Sequence, residues 1–378
     1  MHSPRSAASR LLTLVHREGR ISRSAATTRL GLSRSAIGLA IEALSELGML
    51  RVASPAEPAG RGRPSPLIEP APGGPAVVAI RLHRTGAELA LVGLGHRVLA
   101  RASRGFPSDD REPTAVFAQL AAWTRELSDD RPPGRAAIAV PGMVGPGDGR
   151  IASATMFDWV DVPGRELARE HFGPLPVELS RDAPLSAVAE YRYGAGRGAA
   201  HLLFLSCTDV GIGGALVDGD GLYLGSGYAM EVGHLCLVPG GRPCPCGARG
   251  CLQTYADSGA LLAAAGLTGE PALAGRVLDG AEAGDAQLLA AVDEVARAIG
   301  AGLLTLVNLT SPDRIVLAGR HARVLRLRPE LVTGPLRASV VARASGPGVV
   351  AAELPDTELR GAADLAFAPL LAAPEAAR

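Results

Sequence analysis

The chain has 378 residues, 47% of them hydrophobic and 20% charged, a composition typical of a globular protein with material for two or three domains. No apolar run approaches the roughly 18 residues needed to cross a membrane, and no secretory signal is recognisable, so we expect a soluble cytoplasmic protein. The formal net charge is zero, yet the first 70 residues contain ten arginines against five glutamates. A basic head on an acidic body indicates a polyanion-binding module joined to a part that binds no polyanion.

The head has the pattern of a helix-turn-helix. Apolar residues recur at helical spacing from Arg5 to His16, and Gly19 ends this first helix. Ser22 is a suitable N-cap for a short second helix, and a three-residue turn ending at Ser33 leads into a third. We expect the N-terminal end of this third helix to enter a DNA major groove. The predicted contacts are Ser33, Arg34, Ser35 and Gly38.

A basic wing is predicted directly after the three helices. Short strands are expected at 49–52 and 67–69, and the span between them contains Arg61-Gly62-Arg63-Pro64. Arg61 and Arg63 on such a backbone suit a narrow minor groove. Two alternatives stay open: the span is a solvated linker, or the three helices form a small protein-interaction module.

Beyond seven prolines between residues 55 and 75, the pattern changes to strands alternating with helices, which predicts an α/β body. Predicted strands lie at 77–82, 88–94, 97–101, 136–140 and 201–206, with a helix at 114–127. The order indicates two lobes around a cleft. We therefore divide the chain into a head (1–70), a linker (71–76), lobe I (77–195, with a closing helix at 359–371 packing back on it) and lobe II (196–358).

A cluster of potential metal ligands lies within residues 231–253. His234, Cys244, Cys246 and Cys251 have a spacing that allows all four to bind one tetrahedral Zn²⁺. With four protein ligands no position remains for an activated water, so a structural zinc is predicted. Chance clustering and disulfides are the alternatives, although the odd total of five cysteines disfavours a disulfide framework.

Several motifs together resemble the ROK family, named for repressors, open reading frames and kinases. They are Glu231-Val232-Gly233-His234, Cys244-Pro245-Cys246-Gly247, Gly250-Cys251-Leu252, the glycine-rich turn from Asp209 to Gly214, and the strand from Pro312 to Gly319. The resemblance implies an actin-like, ribonuclease H-like body, here carrying the winged helix-turn-helix of the repressor branch. It also implies a sugar pocket formed by Gly142, Arg181, Asp182, Glu231, His234 and Gln253.

The chain departs from the kinase pattern where ATP would bind. The first phosphate loop of kinase members has the form Asp-x-Gly-x-Thr, but this chain has Arg81-Leu82-His83-Arg84-Thr85, and we expect these residues at the surface or between the lobes. Asp182 matches the family's general base, and capping of a helix is its alternative role. Arg181 stands where the family has asparagine, which suits an acidic or phosphorylated sugar; the alternative is an ion pair with Asp182 or Glu190.

The sequence therefore predicts a DNA-binding transcriptional regulator, a repressor in the first instance, with no catalytic residue in use. We expect operator DNA and a sugar-like effector as partners, no membrane, and a homodimer or a dimer of dimers. Two alternatives remain: a ROK hexose kinase that retains ATP-dependent activity, and a DNA-binding scaffold that responds to no effector.

Overall fold

The computed structural model describes residues 6–53, 65–107, 111–208, 211–219 and 221–377. Arg5, the wing residues Arg61 and Arg63, and Asp209 and Val210 of the glycine-rich turn lie outside these ranges, so predictions about them stay predictions. Within the described ranges, no helix has the length and apolar character required to span a membrane.

The head consists of three helices packed on a small antiparallel sheet. Its elements are α1 (Ala7–Glu18), β1 (Ile21–Ser22), α2 (Arg23–Leu30), α3 (Arg34–Glu46), β2 (Leu50–Ala53) and β3 (Leu67–Pro70), with sheet order β1-β3-β2. The predicted caps are confirmed: Ser22 Oγ accepts from Ala25 N, and Ser33 Oγ accepts from Ala36 N, both at 3.1 Å. The predicted end of the first helix is also confirmed: α1 stops at Glu18, and Gly19 follows as its C-cap with φ 74°. Strand β1 was not predicted, since two residues carry no periodic signal.

Lobe I is built on a mixed five-stranded sheet of order β11-β7-β4-β5-β6. Its elements are β4 (Ala76–His83), β5 (Gly86–Gly93), β6 (Arg97–Gly105), α4 (Pro113–Leu127), β7 (Arg135–Val140), β8 (Met143–Val144), β9 (Ile151–Ala154), β10 (Trp159–Val162), α5 (Gly164–Phe172), β11 (Val177–Arg181) and α6 (Asp182–Tyr193). Strands β8 to β10 form a separate antiparallel sheet. The predicted strands and the helix at 114–127 are confirmed to within a few residues.

Lobe II contains a second five-stranded sheet, of order β14-β13-β12-β15-β16. Its elements are β12 (His201–Cys207), β13 (Gly213–Asp218), β14 (Gly221–Leu222), α7 (Gln253–Ala256), α8 (Ser258–Ala264), α9 (Ala274–Glu282), α10 (Ala286–Thr310), β15 (Arg314–Gly319), α11 (Arg320–Leu327), α12 (Pro329–Thr333), α13 (Val340–Ser345) and β16 (Gly348–Ala351). The buried face of α10 forms the centre of this lobe's apolar core.

The closing helix α14 (Thr357–Ala372) connects the head with lobe I. It packs against α6 so closely that a Cβ at Gly361 would lie 2.2 Å from the carbonyl oxygen of Leu185. Its apolar side shares one core with α1 of the head and with strands β4 and β5, and Phe367 is fully buried there. A short 3-10 turn, Leu94–His96, also contacts the head, because Gly95 packs against Gly19 and Pro70. The head and lobe I are thus joined by tertiary packing as well as by the chain between them.

Candidate functional site

The cleft residues predicted from sequence lie at the carboxyl ends of two neighbouring parallel strands. Strands β7 and β11 pair in register up to Val140 and Arg181, so Asp182 begins α6 at the same sheet edge where Gly142 follows β7. Gly142 is required by packing, because a Cβ there would lie 2.4 Å from the carbonyl oxygen of Ser153. The topology therefore supports a pocket at this edge.

Asp182 does not cap α6 as the alternative interpretation expected. The helix begins at Asp182 itself, and Arg181 occupies the N-cap position without a side-chain capping bond. The Asp182 carboxylate instead accepts from Ala183 N at 2.7 Å. Burial, together with the nearby Glu358 carboxylate, raises the pKa of Asp182 to about 6. A small cavity of about 30 Å³ is lined by both acids and by Gly213 of lobe II.

Arg181 forms an ion pair inside the pocket with a partner that the sequence did not indicate. Its Nη1 donates to Glu231 Oε1 and its Nη2 to the carbonyl oxygen of Ala229 at 2.9 Å. The expected alternatives, Asp182 and Glu190, were wrong: the Glu190 carboxylate accepts backbone N–H groups from Ala195, Glu353 and Leu354. The Arg181 side chain is only 7% exposed and that of Glu231 is 30% exposed. The arginine therefore neutralises a carboxylate that the resemblance assigns to sugar binding.

The segment that replaces the first phosphate loop is the end of a β-hairpin with a two-residue turn, and two of its arginines are ion-paired. Strands β4 and β5 pair as far as His83 and Gly86, which leaves Arg84 and Thr85 as the turn. Arg81 lies between Glu88 at 3.5 Å and Glu358 at 3.8 Å. Arg84 reaches across the cleft to Glu270 of lobe II at 3.2 Å, which confirms its predicted interlobe position. No glycine occurs in 81–85, so the backbone cannot approach an anion as a phosphate-binding nest does.

The predicted metal ligands converge in one loop. The ligand atoms of His234, Cys244, Cys246 and Cys251 all lie within 4.8 Å of one another. Two of the separations, His234 Nδ1 to Cys244 Sγ and Cys246 Sγ to Cys251 Sγ, are both 3.8 Å. Tetrahedral Zn²⁺ with bonds of about 2.3 Å to sulfur requires sulfurs about 3.8 Å apart, so the donor set and its spacing fit zinc.

Two residues, Glu231 and Gln253, connect this loop with the predicted pocket. Glu231 immediately precedes the 3-10 turn Val232–His234, so its position depends on the loop that carries the first ligand. Gln253 Nε2 donates to Cys244 Sγ at 3.2 Å. An amide can donate to a metal-bound thiolate, which an ionised carboxylate cannot do. Gln253 thus lies beside the metal ligands as well as at the edge of the predicted pocket.

The outer face of α3 is open to solvent. Ser33, Arg34 and Ser35 are exposed, and Leu39 is 67% exposed. Gly38 is only partly exposed, because the Arg23 guanidinium lies over it and donates to the carbonyl oxygen of Arg34 at 3.1 Å. The sequence interpretation did not include Arg23. Its position at the first residue of α2, the helix that precedes α3, is the signal that would have indicated it.

A second cluster joins the head to the body and was not predicted. The buried Asp364 carboxylate lies 3.2 Å from His16 Nε2 and 3.1 Å from His96 Nε2, and it also accepts from the Tyr193 hydroxyl. Burial alone would raise the pKa of Asp364, but hydrogen bonds from the two histidines hold it well below its usual range. Gly95 N donates to His16 Nδ1 at 3.2 Å, so the His16 proton lies on Nε2 and points at Asp364. The cluster is therefore a buried polar junction between the head and the body.

Comparison with known proteins places this geometry in a family. A model described as the ROK family matches residues 77–368. A putative xylose repressor from Caldicellulosiruptor sp. (strain Rt8B.4) is 32% identical over 198 residues, which are 48% of this chain and 49% of the relative. A glucokinase from Streptomyces coelicolor is 33% identical over 258 residues, or 61% of this chain and 80% of the relative.

The likeness of fold extends over the head as well. The crystal structure of a ROK family transcriptional regulator, a homologue of the E. coli MLC protein, matches with a TM-score of 0.75 at 23% identity and covers 94% of each chain. The chain spans about half the length of the repressor that it matches, and repressors and glucokinases are similar to it at comparable identity. The shared pattern of residues and fold leads to one conclusion: the chain belongs to the ROK family.

Proposed function

We propose that this protein is a sequence-specific DNA-binding transcriptional regulator, a repressor, whose kinase-like body senses a small molecule. The observation that carries the proposal is the β4–β5 hairpin: Arg81 and Arg84 form ion pairs with glutamates where kinases bind ATP phosphates. A body with this turn has lost the backbone geometry for holding phosphates, while the sugar side of the cleft keeps its framework. Residues 1–70 act as the DNA-binding domain and 77–358 as the sensor.

The head supports DNA binding through charge and exposure. Helix α3 presents Arg34 and Ser35 at its N-terminal end, and Arg23 lies alongside. This is the end that a helix-turn-helix inserts into the major groove. Arg61 and Arg63 would enter the adjacent minor groove from the wing. Because each half of a palindromic operator needs one head, the active species is a homodimer or a dimer of dimers.

The effector site lies in the cleft around the Arg181–Glu231 pair. A sugar would exchange hydrogen bonds with Glu231 and His234, and Asp182 would serve as an acceptor for a hydroxyl without transferring phosphate. His234, Cys244, Cys246 and Cys251 would hold a structural Zn²⁺ that fixes the Glu231 loop. An effector that binds one degree of lobe closure more tightly shifts the equilibrium between open and closed lobes. Helix α14, which packs on both the head and lobe I, transmits the change to the head.

The test begins with selection of bound duplexes from a random library by the full chain. We expect one enriched palindromic motif. Arg34→Ala with Ser35→Ala should weaken binding to it by about 1–3 kcal/mol per lost base contact. Arg61→Ala with Arg63→Ala should lower the salt dependence by about one unit per lost phosphate contact. Arg326→Ala, an exposed arginine of lobe II, is the matched control and should change neither quantity.

Two results would contradict the proposal. The first is the absence of any enriched motif. The second is hexose-dependent ATP turnover that disappears in Asp182→Asn, since this would establish the kinase alternative. If the motif is enriched but no sugar shifts the melting temperature or the DNA affinity, the body is a scaffold and only the sensing part of the proposal is lost.

A further inference from the structure

A second cleft lies between the head and the body, separate from the sugar pocket. It has a volume of about 510 Å³, within the usual range for ligand sites. Five of its ten lining residues are arginine, although arginine and lysine together supply only 38 of the 378 residues. The five are Arg17 and Arg29 of the head, and Arg192, Arg197 and Arg360 of the body. Their convergence from α1, α2, α6, the loop after α6 and α14 is a tertiary feature.

Most of this positive charge is not neutralised. Arg29 pairs with Glu18 at 3.2 Å, and Arg192 pairs with Asp364 at 2.5 Å. Arg360 lies over the ring of Tyr193, with 5.2 Å between its guanidinium carbon and the ring centroid. Within the described part of the chain, no carboxylate lies within 4.0 Å of Arg17, Arg197 or Arg360. Three guanidinium groups thus line the cleft without an ion-pair partner among the described residues.

The chemistry of the lining selects the ligand class. Guanidinium groups bind phosphate oxygens through paired N–H donors, and several of them around one cleft favour an anion with two or more charges. The lining offers little apolar surface, since arginines, tyrosines and Glu18 dominate it. We infer that this cleft binds a small phosphorylated metabolite, which contacts arginines of the head and the body at the same time.

The site is connected to the junction between head and body. Arg192 lines the cleft while its Nη1 donates to Asp364 Oδ2, and Asp364 Oδ1 accepts from His16 of α1. An anion in the cleft competes with Asp364 for Arg192 and contacts both Arg17 of the head and Arg197 of the body. Ligand binding therefore changes how the head is held on lobe I. This consequence rests on the proposed DNA-binding function, whereas the binding site itself does not.

Calorimetric titration of the full chain with inorganic pyrophosphate at low ionic strength tests the site. We expect saturable binding of one pyrophosphate per chain. The affinity should fall at least tenfold in Arg197→Ala and in Arg360→Ala, with partial recovery in Arg197→Lys. Arg197 is exposed in a loop and makes no ion pair in the described residues, so its removal leaves the fold intact. Arg326→Ala should bind like the parent protein.

No saturable binding, unchanged affinity in Arg197→Ala, or an equal loss in Arg326→Ala would overturn the inference. A second arm identifies the source of the phosphate. If the enriched DNA duplex displaces pyrophosphate one for one and Arg197→Ala weakens duplex binding equally, the cleft holds DNA backbone and the metabolite is excluded. If both bind together with altered affinities, the site is allosteric. Pyrophosphate binding without any enriched duplex would retain this site while refuting the proposed function.

Discussion

Breaking the Arg181–Glu231 pair should destabilise the protein, and the two single substitutions should not cost the same. Glu231→Ala leaves Arg181, at 7% exposure, without its carboxylate. Removing one partner of a fully buried pair costs about 3–5 kcal/mol. Glu231 is 30% exposed, and Arg181 keeps its bond to the carbonyl of Ala229, so we reduce the expected cost to about 2 kcal/mol. Arg181→Met leaves a carboxylate that water can reach, and we expect a loss of about 1 kcal/mol.

The assay is urea unfolding followed by circular dichroism, supported by thermal melting. A loss of about 2 kcal/mol corresponds to about 4–8 °C in melting temperature for a unit of 150–250 residues. The double variant Arg181→Met with Glu231→Ala should be more stable than the sum of the single losses predicts, by about 1 kcal/mol. Strict additivity, or a larger loss for Arg181→Met than for Glu231→Ala, would refute the reasoning.

Three further predictions concern the metal loop and two buried titratable groups. Cys246→Ser should abolish stoichiometric zinc in elemental analysis, whereas Cys236→Ser, outside the ligand set, should retain it; zinc retained by both would remove Cys246 from the site. Asp182→Asn should stabilise the protein at pH 7 by about 1–3 kcal/mol, because a carboxyl with a pKa of about 6 is costly when charged, and the gain should vanish below about pH 4. Burial lowers the pKa of His321 to about 4. Between about pH 6.5 and 4 the histidine is therefore protonated in the unfolded chain and neutral in the folded chain, so the free energy of unfolding falls as the pH drops through this range. In unfolding experiments at several pH values, His321→Gln should remove about 2–3 kcal/mol of this loss. An unchanged loss of stability between about pH 6.5 and 4 would show that His321 does not cause it.

Local spacing was enough to predict the helices of the head and the metal cluster. Ser22 and Ser33 cap the helices that they were expected to cap, since a cap depends on residues three positions away. The four predicted metal ligands lie within 18 consecutive residues, and a tight loop brings them together whatever the rest of the chain does. The alternation of strands and helices in the body could also be predicted from the sequence, because the spacing of apolar residues indicates which side chains are buried.

Contacts between distant segments could not be read in this way. Arg181 and Glu231 are 50 positions apart, and nothing in their neighbourhoods distinguishes Glu231 from Asp182 or Glu190 as the partner. The side chain of His16 meets Asp364, 348 positions away, only because α14 packs between the head and the sheet of lobe I.

The sequence by itself determined the local elements, the ligand set for a metal and the loss of the glycine-rich phosphate loop, because each depends on neighbours along the chain. Only the tertiary structure decided which charges meet. It placed Arg181 against Glu231, a carboxylate of the predicted sugar pocket, and gathered five arginines into a cleft between head and body. The physical reason is that charge pairing follows distance in space, and the packing of α6 and α14 sets that distance for residues far apart in the chain.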